Sequence, residues 1–457
     1  MPEYFMVIEC KLVENLNPMG NKCDRHFPKC KLATREDGTL MSIDKYQETY
    51  IQNCFADRIG GPNYGKSPNN NKLDKIKRAI TAANRNFPDI ELINLGAYEP
   101  NEMMDTGIAA TLAAEAAKPE NRGYATNGVP EFKETAAAYL AEVFGVEDID
   151  PVTEVVYSSG SKSALAIIPS AFINPGDVAV LTVPGYPVMG THTKYLGGEV
   201  YNVQLTKENH FLPDLTSIPE EIALRAKLIY LNYPNNPTGA SATAEFFTEV
   251  IEWAKKYNVI VVHDATYAAL TYDGVKPFSF LSVPGAKDVG VELHSLSKSF
   301  NMTGWSMGFV AGNPLVIKAF SEIKDNHDSG QSMAIQKAAA YGLAHPEITL
   351  KMTEKYSRRH DLLVQALNEL GFRVEKPKGS VYLYVESPSG IAGGRRFESG
   401  EDFSQFLIRE KLISSVPWDD AGHFVRFSVT FEANGEEEEQ RVIGEIKRRL
   451  SDIQFEF

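Results

Sequence analysis

The stretch GVELHSLSKSF, residues 290–300, changes character halfway along. Its first half is a short apolar run that reads as a buried strand. Its second half gathers serines around Lys298 and reads as the loop that strand delivers. Four runs upstream share the design: EVVYSS (154–159), VAVLTV (178–183), LIYLNY (228–233) and VIVVHD (259–264). Helical segments at 161–173 and 243–257 alternate with them. Buried strands alternating with helices predict an α/β domain around a mostly parallel sheet.

Beyond residue 315 the pattern shifts to long helical stretches, then SVYLYVE (380–386), FVRFSVT (424–430) and a helix over 436–451 opened by Glu436–Glu439. Carboxylates in a first turn complement the helix dipole. A chain of 457 residues exceeds one ordinary core. The reading is an extension over 1–50, an arm and part of a small domain over 51–90, a large α/β cofactor-binding domain over 91–315, and a smaller α+β domain over 316–457.

Charged residues make up 23% of the chain and the formal net charge is −14. The first is the profile of a globular enzyme; the second argues against a nucleic-acid partner, which needs a concentrated basic face, and against an anionic membrane surface. The cysteines, Cys10, Cys23, Cys30 and Cys54, all precede residue 55. Cys23 and Cys30 flank His26, but no CxxC pair occurs, so reduced thiols are expected and no metal. The opening MPEYFMVIEC has no basic region before an apolar one, and no apolar run approaches membrane length, so the expectation is a cytoplasmic protein.

Ligands of an α/β sheet gather at the carboxyl ends of its strands. Five ends here deliver SSGSKSAL (158–165), PGYP (184–187), PNNPTG (234–239), Asp264 with Tyr267, and Ser295, Ser297 and Lys298. Singly, each has a plain structural reading: a cap, a turn, a core ring, a solvated lysine. Together they suit one ligand, a phosphorylated planar heteroaromatic aldehyde, pyridoxal phosphate. Lys298 is the amine for the aldehyde, and Asp264 holds a protonated pyridine nitrogen. Tyr267 and Asn236 can donate to the ring oxygen, and Tyr186 can stack on the ring. Gly160, Ser161 and Lys162 open a helix whose free N–H groups suit a phosphate, with Ser295 and Ser297 adding hydroxyls. GSKS lacks the first glycine of a nucleotide-binding P-loop.

SLSKSFNMTGW, NYPNNPTGA and HDATYAAL resemble the fold-type I aminotransferases of class I and II, over roughly residues 90–450. RGYATNGVPEFKE, GDVAVLTVPGYPV and KLISSVPWDDAGHFVRFSVTF are most similar to the LL-diaminopimelate aminotransferase group within that family. The resemblance implies a homodimer with shared active sites and a two-stage exchange between an L-amino acid and a 2-oxo acid. By resemblance these are L,L-diaminopimelate or glutamate and 2-oxoglutarate. It implies Lys298 as the Schiff-base lysine, with Asp264, Tyr267, Asn236 and Tyr186 in the roles given above. It adds Tyr124 for the neighbouring subunit's phosphate, Arg426 for the substrate α-carboxylate, and Gly96 for close backbone approach to substrate.

Three departures from the family pattern stand out. Ser306 occupies a position where an arginine usually meets the phosphate, and Val381 one where an aromatic usually lies near the substrate. The first 50 residues exceed the usual arm. Alternatives are the same carbanion chemistry turned to elimination or carbon–carbon bond formation, and a non-catalytic homologue. The intact set Lys298, Asp264, Tyr267, Asn236 and Arg426 argues against the latter.

Overall fold

The computed structural model describes residues 50–66, 72–97 and 99–457. Cys10, Cys23, Cys30, His26 and nearly all of the predicted extension lie outside the described residues. The chain forms two units, Met1–Asn70 and Asn71–Phe457. In the first, short 3-10 turns are closed by Gln52, whose side chain donates to the carbonyls of Pro62 and Tyr64.

The second unit is built on a seven-stranded sheet. Across it the order is Val155–Ser158, Gly308–Gly312, Gly290–Ser295, Ile260–Asp264, Ala226–Asn232, Val178–Val183 and Glu199–Gln204. Only Gly308–Gly312 runs antiparallel to its neighbours. The other pairs are parallel. The five strands read from apolar runs are all present, within two residues of their predicted ends. Two were not legible. Glu199–Gln204 is an edge strand with a mostly solvated face, so it lacks an apolar run. Gly308–Gly312 carries glycine at both ends, where backbone approach replaces side-chain packing: a Cβ on Gly308 would lie 2.5 Å from the carbonyl oxygen of His294.

The helix predicted over 243–257 spans Ala244–Tyr257, capped by the Thr243 hydroxyl, which accepts from the Phe246 amide. The one predicted over 161–173 divides into Gly160–Ile167 and Pro169–Phe172, because Pro169 lacks the amide that a continuous helix needs.

Within the sheet lies a fully buried carboxylate. Glu292 meets the Ser279 hydroxyl at 2.6 Å, the Phe280 amide at 2.7 Å, His263 Nδ1 at 2.8 Å and His294 Nε2 at 2.6 Å. These contacts tie Gly290–Ser295 to Ile260–Asp264, the strands that deliver Lys298 and Asp264.

A second hydrophobic core surrounds a three-stranded antiparallel sheet ordered Val416–Trp418, Phe424–Ser428, Tyr382–Glu386. Helices Glu347–Glu369, Gly400–Lys411 and Glu436–Leu450 pack around it, the last opening on four glutamates and closing on Lys447, Arg448 and Arg449. Ile76, Ala79 and Ala83 of helix Lys72–Asn86 pack against Ile408, Val416 and Trp418. Helix Met333–Leu343 joins the large core instead.

Arg359 is fully buried in helix Glu347–Glu369. It donates to Glu439 at 2.8 Å and to the carbonyls of Val429, Phe431 and Ala433. One guanidinium therefore holds the segment that follows Phe424–Ser428. No described helix is long and apolar enough to cross a membrane. Among the described residues no cluster of histidine, cysteine and carboxylate side chains is placed to hold a metal.

Candidate active site

Asp264 is the last residue of its strand and is buried. Its Oδ1 accepts from the Thr266 hydroxyl at 2.6 Å and the Thr266 amide at 3.2 Å, and its Oδ2 accepts from Tyr230 at 3.2 Å. The Thr266 hydroxyl also lies 3.0 Å from Ser161 Oγ, which joins Asp264 to the first turn of helix Gly160–Ile167. Burial pushes the carboxyl above its usual range against these hydrogen bonds. Among the described residues no ion pair neutralises it.

Lys298 lies on the adjoining strand's extension, in the helical turn Leu296–Ser299 that Ser295 caps. Burial brings its ammonium down to about 8; Glu99 opposes that shift and Arg426 adds to it. The amine thus stands within electrostatic reach of two residues more than 300 positions apart in the chain.

Arg426, on Phe424–Ser428, is buried and donates from Nη1 to Asn236 Oδ1 at 2.8 Å. Its guanidinium sits 4.0 Å from the ring centroid of Tyr382, and its buried Nε has no hydrogen-bond partner among the described residues. The Tyr382 hydroxyl lies 2.8 Å from that of Tyr267. Asn236 in turn hangs from the large sheet, its amide donating to Asn232 Oδ1, while Asn232 Nδ2 donates to the carbonyl of Asp264. The structure therefore brings Lys298, Asp264, Tyr267, Asn236 and Arg426 into one connected site.

The other predicted residues fall around it. Gly160 takes a left-handed φ of 74°, and a Cβ there would meet nothing within 4 Å, which leaves room at the helix N-terminus. Tyr186 is half-buried against the sheet. Ser297 donates its amide to the Ser295 hydroxyl. The Gly96 amide donates to Ser414 Oγ at 3.0 Å, and the preceding Leu95 carbonyl accepts from Ser428, two residues past Arg426. Lys162 is exposed and lines an open cleft with Ser159, Thr191 and His192. Tyr124 is 85% exposed and is not gathered with the buried set.

Ser306 is exposed, in a left-handed conformation. The Tyr157 hydroxyl links it to the helix cap, lying 2.8 Å from Ser159 Oγ and 3.5 Å from the Ser306 carbonyl.

Val381 requires a correction. It is buried in the small core, on the opposite face of its strand from Tyr382. Strand side chains alternate, so Val381 and Leu383 share the core face, while Tyr382 and Tyr384 share the face of Arg426. The aromatic near the site is Tyr382, one position on. The sequence reading missed it, along with Thr266, Tyr230 and Asn232; the signal for Tyr382 was the alternation within SVYLYVE.

The description "Aminotransferase class I and II" matches residues 90–444. LL-diaminopimelate aminotransferase from Methanocaldococcus jannaschii is 57% identical over 418 residues, covering 90% of this chain and 100% of its own. That from Methanococcus maripaludis is 54% identical, with the same coverage. Substrate-bound BacF from Bacillus subtilis superposes with a TM-score of 0.76 at 33% identity, covering 86% of this chain and 97% of its own. A Thermus thermophilus aspartate aminotransferase variant gives 0.74 at 25% identity, covering 86% and 99%. The mostly parallel sheet, the strand-end residues and these likenesses agree, and the chain belongs to the pyridoxal-phosphate-dependent class I and II aminotransferases.

Proposed function

We propose that the chain exchanges an amino group between L,L-diaminopimelate and 2-oxoglutarate, as a cytoplasmic homodimer, with Lys298 as its catalytic base. The observation that carries this reading is the connected set of Lys298, Asp264, Tyr267, Asn236 and Arg426. Support for the substrate comes from relatives of that name at 57% and 54% identity.

The residues fit pyridoxal phosphate by their chemistry. Asp264 is a buried carboxylate lacking a cation among the described residues, which a protonated pyridine nitrogen supplies. The open N-terminus at Gly160 suits the phosphate. When bound, the group withdraws electrons from the substrate's Cα, making that proton removable.

Asp264 would keep the ring nitrogen protonated. Tyr267 and Asn236 would donate to the ring oxygen, and Tyr186 would supply an aromatic face for the ring. Arg426 orients the substrate: its Nε and remaining donors read a carboxylate in a forked geometry. Lys298 Nζ, as a neutral amine, would take the proton from the substrate's Cα and hand it on across the substrate nitrogen. Gly96 keeps the backbone close to the substrate. Tyr124 serves the neighbouring subunit's phosphate, as its exposure allows.

Purified protein given L,L-diaminopimelate and 2-oxoglutarate should produce glutamate. Turnover of other amino acids without this one would overturn the substrate. Borohydride reduction and peptide mapping should label Lys298, and a label elsewhere would overturn its role. Mixing inactive Lys298→Ala and Tyr124→Ala chains should restore partial activity; a fully active monomer in ultracentrifugation would exclude the shared site.

A further inference from the structure

Tyr382 touches both halves of the site. Its hydroxyl is 2.8 Å from that of Tyr267, and its ring face lies 4.0 Å beneath the Arg426 guanidinium. All three side chains are buried, so water screens none of these contacts. Two phenols that share one hydrogen bond must divide donor and acceptor between them. If Tyr267 spends its proton on the cofactor's ring oxygen, Tyr382 is the donor and Tyr267 the acceptor. Accepting a hydrogen bond strengthens the acceptor as a donor in turn. A cation over the Tyr382 ring draws electron density from its hydroxyl and strengthens the first link of that chain.

We infer that Tyr382 is a positioning residue that couples occupation of the Arg426 carboxylate site to the strength of Tyr267 as a donor. This rests on the roles proposed above for Tyr267 and Arg426. With Arg426 uncompensated, the chain from Tyr382 through Tyr267 is polarised and favours negative charge on the ring oxygen. A substrate carboxylate on Arg426 cancels that charge and relaxes the chain. The nitrogen joined to Lys298 then holds its proton more tightly, at the moment an incoming substrate amine needs an acceptor for its own. A parallel route exists through Asn236, which Arg426 also contacts, but it has no titratable hydroxyl. The other charged groups that face this cluster among the described residues are Asp264, near Tyr267, Lys72 and Lys298, near Arg426, and Glu99, near Lys298.

The test is a pH titration of the visible band of the holoenzyme, with and without glutarate, an unreactive dicarboxylate. In the wild type glutarate should raise the midpoint. Tyr382→Phe keeps the ring and removes the hydroxyl. Its midpoint without glutarate should rise by about 0.5–1 pH unit, the size one neutral hydrogen bond supports. Its response to glutarate should fall to less than half that of the wild type. Tyr382→Leu removes the ring and should weaken glutarate binding about 3–30-fold, with Tyr382→Met as the alternative should the leucine variant not fold. A Tyr382→Phe protein that titrates and responds like the wild type overturns the coupling while leaving Arg426 as the carboxylate site. A wild type that does not respond to glutarate overturns the reading of Arg426 and the coupling with it.

Discussion

Asp264 ends one strand, and Lys298 sits a helical turn beyond its parallel neighbour, so a carboxylate and an amine enter the cleft from adjacent strands. Burial acts on both in the same physical sense, against charge. It raises the carboxyl and lowers the ammonium. A ligand that brings a ring cation to one and an aldehyde to the other relieves both.

The lowered ammonium sets a pH dependence. Only the neutral amine is nucleophilic, so capture of pyridoxal phosphate by the apoprotein should accelerate as pH rises through about 8, well below the 10.5 of an ordinary lysine. Stopped-flow absorbance reads the midpoint. Glu99→Gln should move it lower, because Glu99 stabilises the charged form. A midpoint near that of free lysine would contradict the burial of Lys298.

Asp264→Asn removes the charge that holds the ring proton but keeps the shape. A charge-assisted hydrogen bond contributes about 1.5–3 kcal/mol, so kcat should fall about 10–100-fold or more. Steady-state kinetics at saturating cofactor checks this, and an unchanged kcat would remove Asp264 from the chemistry.

Ser306→Arg puts a cation on the turn that Tyr157 links to Ser159, the cap of helix Gly160–Ile167. Pyridoxal phosphate should dissociate about 10–100-fold more slowly, less whatever strain the left-handed backbone imposes on the larger side chain. Because Val381 lies in the core, nothing pairs Ser306 with an enlarged pocket, and kcat should stay within about threefold. Faster cofactor loss in the arginine variant would show that position 306 does not face the phosphate.

Glu439→Ala strands the buried Arg359, with Arg358 losing the same carboxylate at 2.7 Å. Breaking such a buried pair costs about 3–5 kcal/mol, and urea denaturation should show it. A loss below about 1 kcal/mol would mean that the carbonyls of Val429, Phe431 and Ala433 satisfy Arg359 without its counter-ion.

The strands bearing the cofactor residues were legible because a parallel strand buried on both faces leaves an unbroken apolar run. Their ends mark where ligands bind, and so Asp264 and Lys298 could be found. Arg426 was not accessible to that logic: it lies mid-strand in the small antiparallel sheet, and only resemblance pointed to it. Tyr382 escaped because sequence position was compared without asking which face each residue takes. Arg359 and Glu439 escaped because 80 residues separate them and no local rule pairs them.

The strand Tyr382–Glu386 presents two alphabets in alternation, Leu383 and Val385 to the core, Tyr382 and Tyr384 to the face of Arg426. Natural variation can therefore rewrite one without spelling errors in the other. Conservative substitutions on the Arg426 face act on the site while leaving Leu383 and Val385 in place, whereas inserting or deleting a single residue exchanges the two texts and forfeits both. New amino-donor preferences in this lineage should arise by replacement along this strand and never by a change in its length.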